Sequence, residues 1–341
     1  MHRVRLSSMR DLVVRIILPV IAVLSVAGAM ASEQQPLATA SPSVLVARLR
    51  MALDMYDERE ANIATDELQA AGEAAILSIE AALSSGDTRL APYLLRCLGG
   101  LGGDEATSLL MAAVGKHPHT QLAANAVFRL ENRHIRRALT EAELGELVRM
   151  VGESEIIAAG NAARVLARCD CVDPALKAEA ITARFCREVE TPTHPESVWP
   201  AYLSPRVYVL NQFLLAFSDL GTPPIPVLAS CRESSTAAET KTWLCLALGM
   251  AGDARVADEL EQLIRMDEDK YLRWAGIPAY AKAAGKAAIP LLESLLNDET
   301  VTDYEPDNRV PGQKTHLIRG AARRALYGTG GLEADRATQN D

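Results

Sequence analysis

The fold of this chain is decided by residues 243–297, which read WLCLALGMAGDARVADELEQLIRMDEDKYLRWAGIPAYAKAAGKAAIPLLESLLN. Apolar residues recur in this stretch at helical spacing, and glycine-containing turns interrupt the runs. Gly252 and Gly285 mark equivalent points in two successive helical hairpins. Their separation, about 33 residues, is typical of stacked helical hairpins.

Nearly the same interval returns in two other places. It separates Gly221 from Gly252 and Gly72 from Gly103, by about 31 residues in both cases. No stretch of useful length alternates polar and apolar residues as a half-buried strand would. The sequence therefore predicts an all-α chain that folds as an α-solenoid of stacked helical hairpins.

Several helix starts are marked by residues that satisfy free backbone N–H groups. Thr140 and Glu143 have the spacing of a capping box, and so do Thr236 and Glu239. The acidic run of residues 267–269 is interpreted as a helix cap, because carboxylates are favourable at a helix start.

Proline-rich and polar stretches set the predicted boundaries. Four prolines between residues 192 and 205 exclude a continuous helix there, so this stretch either divides the repeats into two stacks or lies as a long loop across one face. The predicted segments are a signal peptide at 1–31, a flexible lead-in at 32–42, N-terminal repeats at 43–189, a Pro-rich interruption at 190–205, C-terminal repeats at 206–330 and a disordered tail at 331–341.

The start of the chain, residues 1–31, has the three parts of a secretory signal. Arginines precede an apolar run over residues 16–28, and the small residues Ala29 and Ala31 follow it. A membrane anchor is the competing interpretation, but residues 16–31 are fewer than the ~20 that a membrane-spanning helix needs. We therefore expect cleavage after Ala31 and an exported protein, periplasmic or secreted, with no membrane span after cleavage.

The charge of the chain bears on its partners. The net charge is −9, and loss of the leader removes four arginines and one aspartate, which leaves about −12. Nucleic-acid binding depends on an excess of Lys and Arg that neutralises phosphates. The sequence therefore predicts no nucleic-acid partner and favours a protein partner, whose identity the sequence does not specify.

The six cysteines do not form a dense disulfide framework. Cys97 and Cys245 lie inside apolar helical runs, where thiols behave as small buried hydrophobes. Cys186 and Cys231 fall near the ends of second helices in neighbouring hairpins, and bridged cysteines need α-carbons within about 7 Å. We expect at most one disulfide, with Cys186 and Cys231 as the favoured pair.

Two motifs carry a family resemblance. Residues 263–275, LIRMDEDKYLRWA, precede the turn AAG at 283–285, and residues 318–326, IRGAARRAL, repeat the pattern of the most typical helix. The chain resembles the short HEAT-like repeats of the phycobilisome-lyase type, closely after residue 208 and loosely before residue 187. The resemblance implies an armadillo-like helical fold. A tetratricopeptide array has a similar period, but residues 243–247 do not meet its signature.

No residues in the sequence form a chemical site. HEAT-like proteins include bilin lyases and hydroxylases that bind iron through adjacent His-Glu pairs, and this chain has no such pair. His117 and His119 favour a solvated turn over a metal site. Residues 303–307 alternate oxygen ligands like half of a calcium loop, but Lys314 stands where a bidentate Glu belongs. The sequence predicts no catalytic, cofactor or metal-binding residue.

The leading functional hypothesis is a non-catalytic, exported protein–protein interaction scaffold. The alternative is a lyase-like or accessory enzyme with a site on the irregular insertions. We expect the partner to bind the inner face formed by the second helices, with Trp199 and Tyr202 as anchors, since aromatic residues carry much interface energy. The competing interpretation is that Trp199 packs onto the solenoid and holds the interruption in place.

Overall fold

A computed structural model describes residues 40–117, 120–190, 205–301 and 316–328. Over these ranges the chain is helical, with two isolated β-bridges and no strand. The prediction of an all-α chain is confirmed. No helix in the described ranges is long and apolar enough to cross a membrane. The predicted signal peptide, the tail 331–341, most of the lead-in and most of the Pro-rich interruption lie outside the described residues.

The helices have the following bounds in chain order: α1 Pro42–Asp54, α2 Glu58–Ala70, α3 Ile76–Ser84, α4 Ala91–Gly100, α5 Asp104–Lys116, α6 Gln121–Leu130, α7 Glu141–Glu153, α8 Ile156–Ala167, α9 Pro174–Glu190, α10 Pro205–Leu220, α11 Ile225–Ser234, α12 Ala238–Met250, α13 Ala257–Met266, α14 Lys270–Ala284, α15 Ile289–Ser294 and α16 Leu317–Tyr327. Short 3-10 turns precede α3, α13 and α15, and another follows α15.

The chain divides into two compact units, one up to Ile79 and one from Glu80. In the first unit α1 packs on α2, and Leu49 and Leu68 are fully buried. Asp57 caps α2 by accepting a hydrogen bond from the backbone N–H of Glu60 at 3.0 Å. These contacts make a helical hairpin with its own small apolar core.

In the second unit the even-numbered helices form a row of contacts, which we call the even-helix row: α4 with α6, and so on through α8, α10, α12 and α14 to α16. The helices α5, α7, α9 and α11 contact one another in the same sequential way. Contacts of α5 with α6, α7 with α8 and α13 with α14 join even-numbered to odd-numbered helices. Each helix of the even-helix row therefore has its neighbours two helices away in the chain.

The helices on either side of the Pro-rich interruption share one core. α8 packs on α10, and Phe185 of α9 lies 5.1 Å, ring centre to ring centre, from Phe217 of α10 and 6.0 Å from Phe213. All three rings are fully buried. Residues 205–220 thus continue the packing of residues 156–190.

The glycines that set the repeat interval all adopt positive φ angles, between 55° and 87°: Gly72, Gly103, Gly221, Gly252 and Gly285. Gly285 ends α14 at φ 55°, a conformation that costs little only without a Cβ. Gly249 serves close packing instead, since a Cβ there would lie 2.4 Å from Cδ1 of Leu260. The regular spacing of these glycines in the sequence therefore marks turns whose backbone requires a positive φ.

The predicted helix starts have mixed outcomes. The capping box of Thr140 and Glu143 is confirmed, with hydrogen bonds in both directions. Asp269 caps α14 as expected and accepts from the backbone N–H groups of Tyr271 and Leu272. The box at Thr236 is wrong, because α12 has Ala237 at its N-cap and the threonine hydroxyl lies one residue too early.

Candidate functional site

A cavity of about 470 Å³ lies between α10, α12, α14 and α16, and we call it the α14 groove. Its walls are largely apolar, and no carboxylate belongs to the described residues that line it. Its lining residues include Leu214, Met250, Trp274, Pro278, Lys282 and Arg324. The groove therefore combines an apolar surface with two cations.

α14 is held firmly on the side away from the groove. Arg273 donates from Nε to the carbonyl oxygen of Ile264 at 2.8 Å and from Nη2 to Asp298 at 2.8 Å. Gly276 lets α13 approach closely, since a Cβ there would lie 2.8 Å from Cδ2 of Leu263. These contacts fix α14 against α13 and leave Trp274 half-buried in the wall of the groove.

Pro278 stands inside α14 and changes the backbone at the groove. A proline has no N–H to donate to the carbonyl oxygen four residues earlier, which here belongs to Trp274. Both residues line the groove. The carbonyl oxygen of Trp274 therefore lacks its usual helical donor.

Lys282 and Arg324 supply the positive charge of the groove. The Lys282 ammonium donates to the carbonyl oxygen of Ser218 at 2.7 Å, near the carboxyl end of α10. Burial lowers the pKa of Lys282, and the charge of Asp219 partly opposes this shift. Arg324 lies in the last turn of α16, is exposed, and forms no ion pair with any described residue.

Basic residues also mark other helix ends of the even-helix row. Arg129 of α6 and Arg164 of α8, like Lys282 and Arg324, lie in the last turn of their helices. Cations at this position stabilise the helix, because they interact favourably with the negative end of its dipole. At the end of α8 one carboxylate balances part of the charge, because Arg168 bonds Asp219 at 2.7 Å and Arg164 lies 3.7 Å from the same carboxylate.

The structure places only some of the residues that the sequence singled out. Trp199 and Tyr202 lie outside the described residues, as do His119 and residues 303–314. Among the described residues no group of three or more His, Cys, Asp or Glu side chains could hold a metal ion. Trp274 and Arg324 fall within the two motifs that carry the family resemblance, but those motifs indicated no binding role for them. The proline inside the helical pattern of residues 270–284 is a further local signal.

The structure brings together the thiols of Cys186 and Cys231. Both cysteines are free, and burial, followed by the interaction with Cys231, raises the pKa of Cys186. Cys97 and Cys245 are buried, as expected for core thiols. The single disulfide between Cys186 and Cys231 stays a prediction, which thiol counting under denaturing conditions tests.

The fold and the groove together define an all-helical protein with an apolar, cation-bearing cleft. Comparison of the chain with models of known protein families and with curated proteins found no match.

Proposed function

We propose that this protein is a non-catalytic, exported interaction scaffold whose HEAT-like helical hairpins stack as an α-solenoid. The sequential contacts of the even-helix row support this architecture, because each repeat of a solenoid contacts mainly its neighbours. The regularly spaced positive-φ glycines also support it. Export rests on the leader pattern of residues 1–31.

The observation that carries the binding function is the α14 groove. Concave, mostly apolar pockets with a few polar groups are the usual form of a binding site. On the odd-numbered helices of the second unit the exposed large apolar side chains Leu176, Val227 and Met266 are single residues on separate helices, which is ordinary for a protein surface. We therefore place the docking site for a partner protein on the even-helix row rather than on the odd-numbered helices, which are the second helices of the predicted hairpins.

A charge-reversal pair tests this placement. Lys282→Glu puts a carboxylate into the groove, whereas Lys286→Glu makes the same change at an exposed residue of the next turn. We expect exported wild-type protein and the Lys286 variant to capture the same native partner from an envelope extract, and the Lys282 variant to lose it. Equal capture by all three folded proteins would contradict the placement.

The same preparation tests the scaffold proposal itself. A scaffold without chemistry should purify with neither metal nor chromophore. A stoichiometric metal or a bound pigment in the exported protein would favour the alternative of a lyase-like or accessory enzyme with a site on the irregular insertions.

A further inference from the structure

We infer that the α14 groove binds the extended, apolar C-terminal tail of a partner protein, with Lys282 and Arg324 holding the terminal carboxylate. This inference rests on the proposed scaffold function and names the chemistry of its partner. Charge, donor geometry, apolar surface and size each contribute to it.

The two cations of the groove have donors to spare. An ammonium has three N–H donors, and Lys282 uses one of them on the carbonyl oxygen of Ser218. The Arg324 guanidinium has five donors and forms no ion pair with a described residue. Carboxylates suit such a pair, because hydrogen bonds between oppositely charged groups are short and strong.

The one carboxylate that acts on Lys282 already has partners. Asp219 accepts from Arg168 Nε at 2.7 Å and from Nη2 at 3.3 Å, and it lies 3.7 Å from Arg164. Its charge is therefore shared between two guanidinium groups at the end of α8. With no carboxylate among the described lining residues, the groove attracts an anion in a chain whose net charge is −9.

The remaining walls fit apolar side chains and a free peptide N–H. Leu214, Met250 and Trp274 offer an apolar surface beside the cations, and tryptophan is a frequent anchor of binding energy. The carbonyl oxygen of Trp274 has no helical donor because of Pro278. An extended segment has unpaired backbone N–H groups that can satisfy such an acceptor, whereas the N–H groups inside a helix are already used.

The volume of the groove sets the length of the occupant. About 470 Å³ lies within the range of pockets that hold a single small ligand, which corresponds to a few residues rather than a whole helix. A short chain end, with one carboxylate and one or two large apolar side chains, matches this volume. Capture of a terminal carboxylate is an established mode of peptide recognition.

The experiment uses two fluorescent peptide libraries with randomised last four positions, one ending in a free carboxylate and one ending in an amide. We expect the folded protein to select bulky apolar residues at the last positions, and to bind the best free acids about tenfold more tightly than the matching amides, as loss of a charged hydrogen bond implies. Lys282→Gln and Arg324→Gln should each remove this preference. Lys286→Gln should retain it.

Lys282→Arg controls for a folding defect, since it keeps the charge and a donor for the carbonyl oxygen of Ser218. Equal binding of free-acid and amide peptides would overturn the inference. Selection of peptides that carry an internal Asp or Glu and bind equally well with an amidated C-terminus would also overturn it, because the groove would then recognise a side-chain carboxylate. If Lys282→Glu abolishes capture of the native partner while free-acid and amide peptides bind alike, the scaffold proposal survives and the inference of a C-terminal tail fails. If Lys282→Glu leaves capture of the native partner unchanged as well, the proposal and the inference both fail.

Discussion

The even-helix row contains two pairs of cations that differ in how their charge is balanced. Arg164 and Arg168, at the carboxyl end of α8, share Asp219, and the three side chains are 13%, 15% and 20% exposed. Lys282 and Arg324 of the α14 groove form no ion pair with a described residue, and Lys282 donates to a backbone carbonyl oxygen rather than to a carboxylate of its own. The first pair contributes to the packing of α8 on α10, whereas the second pair leaves donors available to a ligand.

The difference follows from the helices that carry the pairs. α8 packs closely on α10, and Gly160 allows this approach, since a Cβ there would lie 2.9 Å from Cβ of Gln212. Cations at such a contact need a partner, because unpaired buried charge is costly. α14 and α16 instead leave a cavity beside their cations.

Asp219→Ala should produce the largest change in stability. It leaves Arg164 and Arg168 partly buried without their carboxylate, and we expect the free energy of unfolding to fall by about 2 kcal/mol in urea denaturation. Arg324→Ala removes a cation of the other pair and should change stability by no more than about 0.5 kcal/mol. Similar losses in the two variants would remove the distinction between the pairs.

Alkaline pH should remove the positive charge of Lys282 from the groove. Burial lowers the pKa of Lys282, so this charge is lost at a pH below the ordinary lysine value of 10.5. Binding of a free-carboxylate peptide should therefore weaken as pH rises from 7 towards 10, by at most about tenfold. Fluorescence polarisation measures this decline.

The Lys282→Arg variant provides the comparison, because its charge persists through the same pH range. If wild type and this variant weaken in parallel, the ammonium of Lys282 does not hold the carboxylate.

The sequence predicted the repeated backbone but not the groove. The positive-φ glycines and the capping residues Thr140 and Asp269 affect only the backbone a few residues away, so the sequence pattern alone predicts them. Lys282 and Arg324 lie far apart in the chain and line the same cavity only because α14 packs on α16. Helical periodicity does not reveal which helix leaves a void beside it. Pro278 in mid-helix was the local sign that α14 differs from its neighbours.

The smallest expected effect concerns Glu131, which lies near Arg164 and Arg168 but forms an ion pair with neither of them. Its Oε2 atom is buried without a hydrogen-bond partner. Burial raises its pKa above the ordinary glutamate value, although both arginines oppose the shift. The ionised form of Glu131 is therefore less favourable in the folded state than in the unfolded state. The attraction of Arg164 and Arg168 for Glu131 does not outweigh its loss of water.

A raised carboxyl pKa means that the folded state binds more protons than the unfolded state between the ordinary and the raised value, so stability falls as pH rises through that window. We expect Glu131→Gln to match wild type near pH 4.5 and to melt at a slightly higher temperature at pH 7.5. Glu179→Gln, at an exposed position of α9, should show no such difference between the two pH values. The opposite result, in which Glu131→Gln is less stable than wild type at pH 7.5, would mean that Arg164 and Arg168 stabilise the ionised carboxylate of Glu131. Asp219 would then balance less of their charge than its contacts with them indicate.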